Sequence, residues 1–263
     1  MTPRIQQAYV PRQQYVPRGV LFALGIVLPL LSGCAKVQRP SATDAFVTTR
    51  LQLGMAYLKR DDLDAARRNL SSAVEAAPDD YRTQLGMALY EQRIGEYGAA
   101  ERRYQTALRQ APENASVMNN YGAFLCSLGQ YVAAQKQFSA AAQHPDYREV
   151  AQALENAGYC HFKAGKCDEA RTFLVRALHY DPTKGDRVLS EVGHRLTAQQ
   201  FNEARHLLDI YHHSLPASAE SLWLEIRFAA LAGRDDERNY HGDRLARSFP
   251  HSKQYQQFLA NEY

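Results

Sequence analysis

The sequence predicts an all-α protein: a right-handed superhelix, or solenoid, of about six helix-pair repeats closed by a C-terminal capping helix. Three observations carry this expectation. Prolines at 78, 112, 182, 216 and 250 stand 34, 70, 34 and 34 residues apart, so a 34-residue unit recurs along the chain. Between those prolines, small residues and large apolar residues recur at fixed offsets, as two antiparallel helices crossing at close range require. With 263 residues, 45% hydrophobic content and a mean hydropathy of −0.47, the chain has the composition of a soluble body and not of a membrane bundle.

The clearest unit is LQLGMAYLKRDDLDAARRNLSSAVEAAP, within residues 47–80. It reads Arg50-x2-Leu53-Gly54-x2-Tyr57, then Ala66-x3-Leu70, Ala73 and Pro78. The unit resembles the tetratricopeptide repeat, with Arg50 in place of that repeat's tryptophan. Gly54 and Ala66 are small where the helices cross, while Leu53, Tyr57 and Leu70 are expected to fill the space around the crossing. Pro78 ends the second helix. The next unit, 81–114, repeats the pattern with Ala88, Gly95-Glu96-Tyr97, Ala100, Tyr104, Ala107 and Pro112. The third, 115–150, carries Tyr121-Gly122, Gly129-Gln130-Tyr131, Ala134, Phe138 and Ala141, and its register slips by two residues around HPDYREV. The fourth, 151–184, resumes with Ala157-Gly158, Gly165, Ala170, Leu174, Ala177 and Pro182. The fifth, 185–218, is weaker, and the sixth, 219–252, keeps Leu222, Gly233, Leu245 and Pro250. Drift at the end suits a terminal repeat that faces water. In the tail YQQFLANEY, Tyr255, Phe258 and Leu259 form the expected apolar face of the capping helix.

The amino-terminal segment has a different character. Arg4, Arg12 and Arg18 precede the apolar run Val20 to Leu31, and the run ends at Leu31-Ser32-Gly33-Cys34. This is the order of a secretory signal, and the run is shorter than the roughly 20 residues that span a bilayer. The four terminal residues resemble the lipobox of bacterial lipoproteins. The resemblance implies that residues 1–33 are removed and that Cys34 carries covalent lipid, the only attached group expected; no cofactor is expected. Ala35 after the cysteine implies sorting to the outer membrane, on its periplasmic face, and residues 34–46 read as the lipidated cysteine and a tether.

Charge and motifs exclude several functions. Removing the three arginines of residues 1–33 from the 31 basic residues leaves 28, equal to the 28 acidic ones. No basic surplus remains to neutralise phosphates, so nucleic acid is not an expected partner. No phosphate-binding glycine loop, HExxH or GxSxG occurs, and the chain reads as a non-enzyme without a small-molecule substrate or metal. Asp61-Asp62 and Asp79-Asp80 suit turns and helix starts, and His212-His213 reads as a solvated helix end. Cys160 and Cys167 are candidates for a disulfide in an oxidising compartment; the alternative is small buried thiols at helix-packing positions.

The repeat resemblance also places a binding groove along the first helix of each repeat. Its lining in repeats one and two would include Leu51, Met55, Leu58, Leu85 and Leu89, an apolar patch of the kind that marks a partner site, unless part of it is core or covered. Further along the groove turns polar, with Asn119, Ser127, Glu155 and Lys163, and with Tyr159 and Phe162 between them. Asn120 and Asn156 occupy one position of successive repeats, where an amide either clamps a bound peptide backbone or bonds locally. Trp223 reads as closing the core of the last repeat.

The runs SVMNNYGAFLCSLGQYVAAQKQF and HPDYREVAQALENAGYCHFKAGKCDEA, with Asn119-Asn120-Tyr121-Gly122 and the slipped register near Tyr147-Arg148, resemble the type IV pilus assembly lipoproteins of the PilF/PilW family. The ending RSFPHSKQYQQFLANEY resembles that family's last repeat and tail. The likeness runs from about residue 46 to the end, and the chain departs from the family in its long leader and its cysteines. The resemblance implies a pilotin: an outer-membrane adaptor that binds the pilus secretin subunit and promotes its localisation and multimer assembly. A lipid-anchored repeat scaffold for another envelope machine is the alternative.

Overall fold

The computed structural model describes residues 41–263. Cys34 and most of the expected signal and tether lie outside the described residues. The described residues hold thirteen α-helices, one 3-10 turn and no strand. The helices pair as α1 (Ala42–Lys59) with α2 (Leu63–Ala76), α3 (Tyr81–Arg93) with α4 (Tyr97–Gln110), and α5 (Ala115–Ser127) with α6 (Tyr131–Ala141). Then come α7 (Tyr147–Lys163) with α8 (Cys167–Tyr180), α9 (Gly185–Thr197) with α10 (Phe201–Ser214), and α11 (Ala219–Leu231) with α12 (Asp235–Ser248). The helix α13 (Lys253–Leu259) ends the chain. Each pair contacts chiefly its neighbours, as a solenoid does.

Local chemistry sets these boundaries. Asp62, Asp80 and Asn114 accept hydrogen bonds from the amides of Ala65, Arg82 and Val117, capping α2, α3 and α5. Ser41 caps α1 by accepting from Asp44 N at 3.0 Å. The first helix therefore begins at Ala42, and residues 42–46 of the expected tether are already helical. Inside each pair the chain turns through one residue of positive φ: Asp61 at 62°, Gly95 at 83°, Gly129 at 76°, Gly165 at 72°, Gln199 at 59° and Gly233 at 65°. Glycine takes that conformation without a Cβ clash; Asp61 and Gln199 take it at a cost.

The small positions are small because the partner helix occupies the space. A Cβ on Gly54 would lie 2.6 Å from Leu70 Cγ, and one on Gly158 would lie 2.6 Å from Leu174 Cγ. Tyr104, Phe124 and Phe138 fill the middle of the array and are fully buried. Leu53 departs from expectation: it is 41% exposed, whereas Met87, Tyr121 and Ala157 at the same position of the next repeats are buried. In those repeats the preceding pair covers the position, and no described pair precedes α1. At the other end, Tyr255 and Phe258 pack with Leu222, Trp223, Ile226 and Leu245. Leu259 is 57% exposed and stands outside that cluster, since no described helix follows α13 to cover it.

The cysteine expectation is corrected. Cys160 pairs with Cys126 and not with Cys167, whose thiol is free and half-buried. Cys126 and Cys160 are 34 residues apart, and their Cα atoms stand 5.9 Å apart on the first helices of repeats three and four. Cys167 instead begins α8 and packs against the core of repeats four and five.

Candidate protein-binding groove

The first helices of successive pairs lie side by side, α1 with α3 and α5 with α7, and their shared face carries the expected groove. Of the five aliphatic residues in repeats one and two, only Met55 is exposed, at 37%; Leu51, Leu58, Leu85 and Leu89 are half-buried. Leu51 and Leu58 pack against Ala66, Leu70, Met87 and Tyr90, and Leu85 and Leu89 join the next core cluster. These four therefore serve the core with one side and present the other. Met55, Leu58 and Leu89 line a hollow of about 390 Å³ with Gln92, Arg93 and Tyr97. Leu51 and Leu85 do not line it.

The rim of this hollow is fixed by neighbours. Gln92 Oε1 accepts from the hydroxyl of Tyr104 at 2.7 Å. Arg93 donates to Asp61 at 2.8 Å, an exposed pair that orients the side chain and adds little stability. Tyr97 follows the turn glycine of repeat two, and the turn brings its ring to the hollow. In the sequence it stands only as part of the Gly95-Glu96-Tyr97 turn, and its aromatic ring beside that turn is the one signal of a groove role.

In repeats three and four the polar residues satisfy one another. Asn156 Nδ2 donates to Asn119 Oδ1 at 3.0 Å, and Asn120 Nδ2 donates to the carbonyl of Ser116 at 2.8 Å. Neither amide is left free for a peptide backbone: Asn120 bonds within its own helix and Asn156 bonds across to the neighbouring one. Asn119 and Glu155 are buried, not open to the groove, and Phe162 is 8% exposed. Glu155 is the hub: its Oε2 accepts from Lys184 Nζ and from Arg187, each at 3.0 Å, and Lys184 also donates to Gln152. Lys184 belongs to the 3-10 turn Pro182–Lys184 and Arg187 to α9, so one carboxylate ties repeat four to repeat five. Tyr159 is half-buried with the Arg187 guanidinium 5.1 Å from its ring centre. Burial first, then the Glu155 charge, pushes its hydroxyl pKa well up, so it stays a neutral phenol.

His212 departs from a solvated reading. Its Nε2 lies 3.3 Å from Glu225 Oε1, because the α10 end meets α11 there; His213 is exposed. No group of three or more His, Cys, Asp or Glu residues that could hold a metal occurs among the described residues.

Comparison with known proteins agrees with this architecture. Family models of the tetratricopeptide repeat match residues 49–80, 104–136 and 125–185. The chain is 29% identical over 224 residues to the type IV pilus assembly protein PilF of Pseudomonas aeruginosa, spanning 85% of this chain and 87% of that one. The solved structure of Pseudomonas aeruginosa PilF matches with a TM-score of 0.57 at 28% identity, over 83% of this chain and 99% of that one. The crystal structure of PilW, a widely conserved type IV pilus biogenesis factor, matches with a TM-score of 0.56 at 25% identity, over 81% of this chain and 98% of that one. The chain folds as a solenoid that carries tetratricopeptide repeats, and its sequence and fold are similar to those of PilF and PilW along most of their length.

Proposed function

We propose that this protein is a type IV pilus biogenesis scaffold, and specifically a pilotin. In this reading Cys34 is lipidated and holds the protein on the periplasmic face of the outer membrane. The groove of repeats one and two takes a segment of the pilus secretin, and the anchor raises the local concentration of subunits during multimer assembly. The observation that carries the reading is the end-to-end match to PilF and PilW, which includes 99% and 98% of those two chains. Two features support it. The Cys126–Cys160 disulfide suits an oxidising compartment. The hollow at Met55, Leu58 and Leu89 offers apolar side chains beside Gln92 and Arg93, a surface fit for a helix or extended peptide with spaced apolar anchors.

The test uses a strain lacking the gene, with the detergent-resistant secretin multimer of its outer membranes as readout. Loss of the multimer, recovery with the wild type, and failed recovery with Cys34→Ala or Leu58→Arg are expected. An unchanged multimer in the deletion strain would overturn the pilotin reading and leave a repeat scaffold for another envelope machine.

A further inference from the structure

One helix position recurs through the whole array, immediately after the buried residue at the crossing, which is Gly or Ala in repeats one to four and Val192 and Ile226 in repeats five and six. It holds Met55, Leu89, Ala123, Tyr159, Gly193 and Arg227 in repeats one to six. Gly193 is the exception that needs a reason. A glycine in a helix interior costs roughly 1 kcal/mol relative to alanine. Packing does not demand it, since a Cβ built there would meet nothing within 4 Å. What the missing side chain leaves is space: a hollow of about 620 Å³ between α9 and α11. Its size falls within the roughly 300–1,000 Å³ of ligand clefts.

The chemistry of the walls is specific. From α9 come Leu189 and Gly193 as the floor, with Ser190, His194 and Thr197 around it; from α11 come Glu220 and Arg227. Arg227 makes no ion pair or hydrogen bond with any described residue, unlike Arg187, Arg195 and Arg205, which all engage carboxylates. Glu220 is the one acid at the hollow, and one of its oxygens already accepts from Gln254 at 2.8 Å. A half-buried guanidinium without a partner, beside an open notch on the groove face, is complementary to a carboxylate.

We propose that the hollow over Gly193 is a second docking point of the groove. It takes an acidic residue of a bound polypeptide, whose carboxylate pairs with Arg227 while the adjoining backbone lies in the notch. The free oxygen of Glu220 and the hydroxyls of Ser190 and Thr197 receive that backbone's N–H groups. This rests on the reading of the groove as a protein-binding surface and extends it to the far end. The apolar hollow of repeats one and two and the charged hollow of repeats five and six would then hold one ligand at two separated points, which fixes its direction.

The protein carries a built-in reporter. Trp223 is the single tryptophan of the chain, and it lies on α11 between Glu220 and Arg227, one helical step from each. The experiment titrates the whole described repeat domain with two probes. One is an arrayed set of 15-residue peptides with a fixed central Asp, Asn or Lys and random flanks. The other is the purified periplasmic portion of the pilus secretin. Binding is read by Trp223 fluorescence and by polarisation of a dye on the probe, for wild type, Gly193→Leu, Arg227→Gln and Leu58→Arg. Gly193→Leu fills open space and replaces a poor helix former, so it folds; circular dichroism checks this.

Central-Asp peptides are expected to bind wild type at least tenfold more tightly than central-Asn peptides. Gly193→Leu and Arg227→Gln are expected to abolish that preference and the Trp223 response. Absence of an acid preference, or equal binding by wild type and Gly193→Leu, overturns the inference. Secretin binding that survives both substitutions but not Leu58→Arg overturns it while leaving the pilotin reading intact. An acid preference lost in both variants, with no secretin binding by wild type, supports the docking point and overturns the pilotin reading.

Discussion

Repeats one and two and repeats four and five use the same helix face for opposite ends. At the first pair, Leu58 and Leu89 anchor in the core and expose one edge to a hollow. At the second, the corresponding face is closed by Glu155, 1% exposed, with Lys184 and Arg187 drawn over it. A repeat fold fixes where side chains point. It does not fix whether a position meets a partner or the next repeat, and the neighbouring residues decide that.

The sharpest way to break this contrast is to remove the hub. Glu155→Ala leaves the largely covered Lys184 ammonium with only Gln152, and loss of one member of a buried pair costs up to about 3–5 kcal/mol. Leu89→Ala, on a half-exposed residue, is expected to cost about 1 kcal/mol. Urea unfolding of the two variants measures both, and a Glu155→Ala loss no larger than that of Leu89→Ala would mean the hub is not structural. Next in size is the covalent link. The double variant Cys126→Ser, Cys160→Ser frees a 34-residue loop and should lose about 4 kcal/mol. Reducing agent should lower the wild-type melting temperature to that of the variant and leave the variant unchanged.

Acid extends the comparison to the carboxyl end. Burial raises the pKa of Glu225, but hydrogen bonds from His212 and Arg205 outweigh it and bring the carboxyl to about 2. Burial pushes His241 below its ordinary 6.5, against the pull of Glu225, and does the same to His161. In each case the folded pKa is depressed, so the unfolded chain binds more protons and stability is lost as the pH is lowered. The histidine part is full above pH 6.5 and is lost below it; the Glu225 part is lost from the ordinary 4.5 down towards 2. His241→Gln should flatten the decline of melting temperature just below pH 6.5 without removing it, because His161 remains. Leu58→Ala should leave that slope unchanged. The smallest effect is at the turns. Gln199→Gly should gain about 0.5–1 kcal/mol, since Gln199 holds φ of 59° where four other repeats place glycine. Thermal melts of the single variant decide it, and a loss would show that the Gln199 side chain has a role its backbone conceals.

The fold was legible because the 34-residue period repeats the same steric demand: Gly54 beneath Leu70, Gly158 beneath Leu174. The groove was legible in position but not in state. Glu155 sits where the repeat pattern expects a solvent-facing side chain, and its burial comes from Lys184 and Arg187, some thirty residues on, where the next repeat begins. The cysteine pairing was harder to read: the register slip puts Phe162, not Cys160, at the repeat position matching Cys126, and the packing of α5 on α7 brings Cys126 and Cys160 together, whereas Cys160 and Cys167 are close only along the chain. Leu53 was misjudged for a boundary reason, since periodicity carries no mark of which repeat has no described neighbour before it.

The placement of the disulfide has a mechanical consequence. In an array whose units touch mainly their neighbours, a pull between the two ends loads every joint in series, and the softest joint yields first. The joint between repeats three and four carries the register slip, and it is also the one spanned by Cys126–Cys160. A stretched molecule would therefore open at another joint, and the central pair of repeats would travel as one rigid link, keeping Tyr131 and Lys163, 3.2 Å apart across that joint, in register while the ends give way.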